Sequence, residues 1–115
     1  MAWFGRGTED LDAARYNREG GHHSQSAFLA QQAAEKALKA VLIAIGLPLR
    51  KTHDLVASAR QLHAPHGIEN ACDTLNPHYI EARYPTGLED KYEAEDAREA
   101  IEAAAEVVAW ARTRL

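Results

Sequence analysis

The chain carries a single cysteine, Cys72, so it can form neither an internal disulfide nor a cysteine-based zinc site. One unpaired thiol fits a reducing compartment, and a cytoplasmic location is expected. No apolar run reaches the length of a membrane span, and the N-terminus lacks the apolar core of a signal peptide, so no membrane role is expected. Basic residues are outnumbered: 13 Lys and Arg against 17 Asp and Glu give a formal net charge of −4. That excludes a whole-surface nucleic-acid binder, which would be basic, and leaves a local basic site open. The six histidines follow no metal spacing. His63 and His66, or the His22-His23 pair, find no third and fourth ligand, so no metal and no cofactor are expected. Strand alternation, internal repeats and low-complexity segments are absent as well. What remains is helix-period sequence of ordinary globular composition, 46% hydrophobic and 26% charged. Residues 1–115 are expected to form one domain with its own core.

The stretch Gln25 to Gly46, QSAFLAQQAAEKALKAVLIAIG, is the strongest element. Ala27, Gln31, Ala34, Leu38, Val41, Leu42 and Ile45 recur at helical spacing and form one stripe. Gly46 and Pro48 end it. Leu29 and Ile43 lie on the far side beside Lys36 and Lys39, so this helix is expected to be central, with neighbours on two faces. Gln31 sits inside the apolar stripe and Glu35 at its edge. Buried amides and carboxylates need partners. The pair therefore marks either a structural hydrogen bond or a polar site between helices, and periodicity alone favours the first.

Before it, Met1 to Gly7 reads as a short lead whose Trp3 and Phe4 pack on the bundle or on a partner. Thr8 is a candidate N-cap for a first helix from about Glu9 to Glu19, with Leu11, Ala14 and Arg18 inward. Gly20 and Gly21 end it, and His22 to Ser24 form a tight link. After the central helix, Thr52 can cap a third helix from about His53 to Leu62. A fourth begins near Ile68, carries Ile68, Cys72, Leu75, Tyr79 and Ala82, and is expected to kink or restart near Asn76 because of Pro77. It ends at Arg83 to Gly87. A last helix runs from about Tyr92 to Arg112, with Ala97, Ile101, Ala104, Val108 and Leu115 as its stripe and Trp110 off it. The fold class is all-α, an antiparallel up-and-down bundle of four to five helices. Apolar groups on second faces (Leu29, Ile43, Trp110) predict a two-fold homodimer. Cys72, on an inward stripe, should react slowly with a thiol reagent.

Three blocks carry a family resemblance: Gln31 to Ala40 (QQAAEKALKA), Lys51 to Leu55 (KTHDL) and Tyr79 to Pro85 (YIEARYP). Their order and spacing resemble compact prokaryotic members of the HEPN domain family, named for higher eukaryotes and prokaryotes nucleotide-binding. The resemblance covers nearly the whole chain. It implies a helical bundle that dimerises and an RNA or nucleotide ligand. It also implies a toxin-like protein encoded beside a small nucleotidyltransferase that acts as antitoxin. Many such proteins are metal-independent endoribonucleases whose motif is an arginine, then four to six residues, then a histidine. Here Arg83 lies in the right region, but Leu88, Glu89 and Asp90 stand where the histidine would be. The spacing occurs elsewhere, at Arg18 to His23, Arg15 to His22 and Arg60 to His66, none of them in the family's location.

Metal-free RNA cleavage needs a base near the ribose 2′-hydroxyl and a cation for the phosphate. Arg83 can supply the cation, with two parallel donors, and its alternative is a salt bridge to Glu35. His53 is the stand-in for the base, and its alternative is a structural bond to Asp54 or a loop carbonyl. These two are the catalytic candidates. Gln31, Glu35, Lys36, Lys39, Arg83 and Tyr84 are the ligand-binding candidates. Tyr84 either stacks on a base or packs under Pro85, and the two lysines either touch phosphate or form a solvated face. The missing histidine favours a protein that binds RNA or a nucleotide over an active endoribonuclease toxin. A non-catalytic helical adaptor is the third reading.

Overall fold

The computed structural model describes residues 2–49, 51–81 and 92–115. Six helices are found among the described residues: α1 (Ala2–Glu19), α2 (His23–Ala44), α3 (Leu55–Gln61), α4 (His66–Leu75), α5 (His78–Glu81) and α6 (Ala94–Thr113). The three long helices form the body of an all-α bundle, with α2 packed against each of the other five. No described helix is long and apolar enough to cross a membrane.

The central position of α2 follows from its alanines. Ala27, Ala30, Ala33, Ala34, Ala37 and Ala40 are all buried, together with Leu38, Val41 and Leu42. Side chains this small let neighbouring helices approach closely on more than one side. Gly7 of α1 carries the same logic further. A Cβ built there would lie 3.0 Å from the Ala33 carbonyl oxygen and 3.3 Å from the Ala37 nitrogen, so α1 crosses α2 backbone to backbone. Ser26 Oγ donates to the Ala14 carbonyl oxygen at 2.6 Å inside the same seam. On the other flank α6 contributes Ala97, Ala100, Ala103, Ala104, Val107, Val108 and Ala111.

Several expected boundaries move. Residues 2–7 are the first turns of α1 and not a lead, because Gly7 is buried, Phe4 packs on the core and Trp3 meets Lys39 of α2. Thr8 is inside that helix, where its Oγ1 donates back to the Gly5 carbonyl oxygen at 2.8 Å instead of capping. The cap of α3 is Asp54, whose side chain accepts from the Val56 and Ala57 amides, and Thr52 instead accepts from the Asp54 amide. The restart at Pro77 is present: α4 stops at Leu75 and α5 begins at His78. Helix α6 starts at Ala94 behind a reciprocal cap between Glu93 and Asp96. Ile45 (54% exposed) and Leu115 (42%) lie outside the core, and Ile101 is only partly buried. The buried stripe of α6 is built from alanine and valine instead. Cys72 is fully buried, as its register predicts, and burial pushes its thiol up to about 12.

Three helices end in the same closure. His22, Leu47 and Ala64 donate their amides to the carbonyls of Asn17, Leu42 and Ala59, five residues earlier. The preceding residue is left-handed each time: Gly21 (φ 82°), Gly46 (φ 78°) and His63 (φ 55°).

Candidate functional site

The polar residues of α2 converge on one carboxylate. Glu35 is buried, with 6% of its surface exposed. Its Oε1 lies 2.8 Å from His53 Nδ1 and accepts a long bond of 3.4 Å from Gln31 Nε2. Its Oε2 accepts from Lys39 Nζ at 3.2 Å. Gln31 and Lys39 are each one helical turn from Glu35, so all three share a face. Gln31 is completed by Gln32, whose Nε2 donates to its Oε1 at 2.7 Å. A carboxylate only accepts, so the shared hydrogen belongs to Nδ1 of the imidazole. In the neutral ring Nε2 is then the acceptor.

His53 is held from a second direction. Its ring stacks on Tyr79, with centroids 3.7 Å apart and planes 15° from parallel, and Tyr79 leans on Phe28 at 6.1 Å. The histidine side chain remains 48% exposed. A surface imidazole is thus fixed in position by a buried acid and an aromatic face. Trp3, in the first turn of α1, closes the other end: Lys39 Nζ sits 5.0 Å from its ring centroid.

The segment bearing His53 is set by the cap of α3. Asn76 Nδ2 donates to Asp54 Oδ1 at 2.9 Å, while Asn76 Oδ1 accepts from the Leu55 amide at 2.8 Å. This Asn76 bond, with the two amides of the cap, holds the Asp54 carboxyl below the usual range. The junction ties the start of α3 to the end of α4, so the two segments that supply His53 and Tyr79 are fixed to each other.

Of the residues named from sequence, Gln31, Glu35, Lys39 and His53 come together here. His53 bonds Glu35, and neither Asp54 nor a loop carbonyl. Lys36 does not join them: its ammonium is paired with Asp10 of α1, so it ties α1 to α2. Arg83 and Tyr84 lie outside the described residues. Trp3 and Tyr79 were not named as site residues. Tyr79 looked like a core position at helical spacing, and Trp3 lay in a segment that showed no helical pattern. Recesses of about 270 to 280 Å³ lie elsewhere, along α4 and α6, where Asp73, Asp96, Glu99, Glu102 and Glu106 give an acidic lining.

Comparison with known proteins bears on the family and the fold. The HEPN domain family model matches residues 1–114. A curated protein of Methanocaldococcus jannaschii that bears the name "Putative toxin" is 30% identical over 122 residues, spanning 90% of this chain and 79% of the relative. A solved structure from Thermus thermophilus superposes with a TM-score of 0.92 at 26% identity, covering 99% of this chain and 96% of the other. An archaeal HEPN homologue superposes with a TM-score of 0.88 at 29% identity, covering 97% and 93%. An HEPN domain protein from Thermotoga maritima, at 20% identity and a TM-score of 0.82 over 98% and 96%, shares the fold.

Proposed function

The chain belongs to the HEPN domain family, and on that premise we propose that it binds RNA or a nucleotide at the Glu35–His53 cluster. In this reading it acts as the toxin-like member of a pair with a small nucleotidyltransferase, and works as a homodimer. The observation that carries the binding reading is the half-exposed His53, oriented by a buried carboxylate and stacked on Tyr79. A packing role alone would not need a charged acid buried beneath a solvent-facing imidazole, because burying a charge is costly. The similarity to a protein named as a toxin supports the toxin-like role. Arg83 is the residue assigned to phosphate.

The test is RNA and nucleotide binding by fluorescence anisotropy at matched salt. His53→Ala and Arg83→Ala should each weaken binding about tenfold or more, as expected for losing a charge-assisted bond of 1.5–3 kcal/mol. Arg83→Lys should recover only part of the loss, since lysine lacks the bidentate fork. Unchanged binding in both alanine variants rejects the site. Sedimentation at micromolar concentration checks the dimer, and a monomer there rejects it.

One observation favours the endoribonuclease as a second reading. With Nδ1 committed to Glu35, Nε2 of neutral His53 has the lone pair that a general base needs at a 2′-hydroxyl. Cleavage of RNA in the presence of a metal chelator, lost in His53→Ala, is the result this reading requires.

A further inference from the structure

The end of α2 and the start of its connection to α3 are unlike the rest of the surface. Residues Ile43 to Leu49, IAIGLPL, are exposed without interruption, and none has a polar side chain. An exposed apolar run of this length marks a surface that something covers. Its four large members, Ile43, Ile45, Leu47 and Leu49, are between 37% and 54% exposed. The run is also held in shape. The amides of Ile45, Gly46 and Leu47 donate to the carbonyls of Val41, Ile43 and Leu42. Pro48 has no amide hydrogen, and its carbonyl oxygen accepts from Gln61 Nε2 at 3.4 Å. Trp3 against Lys39 and Phe4 against Arg112 put the start of α1 and the end of α6 at the same end of the bundle. Leu115 is exposed there too. Of the large apolar or aromatic side chains exposed among the described residues, only Tyr16 lies elsewhere.

Charge at this end has one sign. Residues 2–8, 40–53 and 107–115 contain none of the 17 Asp and Glu. Arg6, Lys51, Arg112 and Arg114 are all exposed. The acids of α6 fall between Glu95 and Glu106 and leave its last two turns to Arg112. The end is therefore basic although the net charge of the chain is −4. An apolar run flanked by cations fits a partner that is apolar within and anionic outside. A second copy of this end does not fit, because it would set Lys51, Arg112 and Arg114 against their own kind. A protein interface carries about one hydrogen bond per 100–200 Å². Residues 43–49 offer no side chain to make one. A lipid boundary asks for none. No described helix is long and apolar enough to cross a bilayer, so the contact is with one surface only. We propose that this end of the bundle docks on an anionic membrane surface. Ile45, Leu47 and Leu49 enter the boundary between headgroups and acyl chains, and Arg6, Lys51, Arg112 and Arg114 meet acidic headgroups. The proposal stands apart from the Glu35–His53 cluster, and neither reading depends on the other.

Co-sedimentation of the full chain with lipid vesicles tests it. Vesicles of phosphatidylcholine alone are compared with vesicles of phosphatidylcholine mixed with phosphatidylglycerol. The expected result is binding to the mixed vesicles only, weakening as salt rises. Leu47→Ser combined with Leu49→Ser, both exposed and outside any helix, should lower the partition about tenfold or more. Arg112→Gln combined with Arg114→Gln should lower it roughly ten- to thirtyfold. Unchanged helix content and melting in both double variants separate lost docking from lost fold. A label reports the orientation. Cys72 is fully buried, so Leu47→Cys offers a single accessible thiol for an environment-sensitive fluorophore. Its emission should shift to the blue on the mixed vesicles, and the same label at Glu99→Cys, in the acidic recess, should not shift. Binding without the shift at position 47, or without loss in the leucine variant, overturns the proposal. Equal binding to both kinds of vesicle overturns it too. Binding to neither does the same, and leaves a protein contact as the cover of the run.

Discussion

Helix α2 serves two neighbourhoods in opposite ways. Toward α1 and α6 it presents alanines, and the partners answer with Gly7, Ala14, Ala100 and Ala104. Among the described residues the one buried polar side chain of this seam outside the Glu35 cluster, Ser26, is satisfied by a backbone carbonyl. Toward the α2–α3 connection and α5 the same helix presents Gln31 and Glu35, with His53 and Tyr79 opposite. The first neighbourhood is optimised for close approach and leaves nothing for a ligand. The second keeps a buried charge and a solvent-facing ring, both of which cost stability in a purely structural contact. One helix thus separates close apolar packing from a polar cluster by face.

The comparison predicts unequal responses to substitution. The largest belongs to the alanine seam. Gly7→Val adds a branched side chain where a single Cβ already meets backbone at 3.0 Å, and neither Ala33 nor Ala37 can yield by rotating a side chain. Overpacking of this kind should destabilise by about 3 kcal/mol, read from the urea midpoint. A loss under about 1 kcal/mol would show that the seam is loose, and would remove the contrast.

Next comes Asp54→Ala, at the junction that fixes the His53 segment. Losing the cap should cost about 1–2 kcal/mol at neutral pH. The sign of its pH dependence is set by the lowered carboxyl of Asp54. The stabilisation is complete above the ordinary carboxylate range and disappears as pH falls through the folded-state value. Acidification should therefore narrow the gap between wild type and Asp54→Ala. A gap that stays constant into acid would mean that the charge of Asp54 contributes nothing.

Glu35→Gln should cost less, about 1 kcal/mol or below, although Glu35 is the most buried charge described. Breaking a buried pair is expensive when the partner is stranded. Here His53 is half exposed and Lys39 is partly so, and both can turn to water. The effect should fall on order instead, with the His53 ring signal in NMR averaging as its anchor weakens. A loss near 3 kcal/mol with an unchanged ring signal would make the acid a structural element.

The two faces also differ in how legible they are. Gln31 and Glu35 stand out because polar residues on an apolar stripe need partners, so the polar face can be read from α2 alone. Their partner His53 could be named from its matched block, but not the bond to Glu35, which spans 18 residues of chain. The alanine face is nearly invisible. Alanine tolerates exposure and burial alike, so Ala30, Ala33 and Ala37 become core only because Gly7 and α6 approach them. For the same reason the turns before Glu9 resembled a lead: Gly5 and Gly7 weaken helix propensity, and only packing on α2 repays it. Ile45 and Leu115 fail in the other direction. Both continue a hydrophobic period past the point where a neighbour exists to cover them.

The smallest expected effect lies outside both faces and tests their independence. The three shared helix closures place Gly21, Gly46 and His63 in the left-handed region. Glycine occupies it without a Cβ clash, whereas histidine at φ 55° meets its own carbonyl. His63 is exposed, and its imidazole makes no hydrogen bond or ion pair among the described residues, so substitution removes no side-chain bond. The closure itself uses backbone groups: Ala64 to Ala59 at 2.9 Å and His63 to Arg60 at 3.0 Å. His63→Gly should therefore stabilise by about 0.5–1 kcal/mol, the relief of strain being partly offset by the greater freedom of glycine in the unfolded chain. His63→Ala keeps the Cβ and should gain nothing, which separates strain from the loss of the imidazole. Because His63 lies beyond the far end of α3 from His53, RNA affinity should not move in either variant. A raised melting temperature with unchanged affinity would show that stability can be added to this bundle without touching the face proposed to bind.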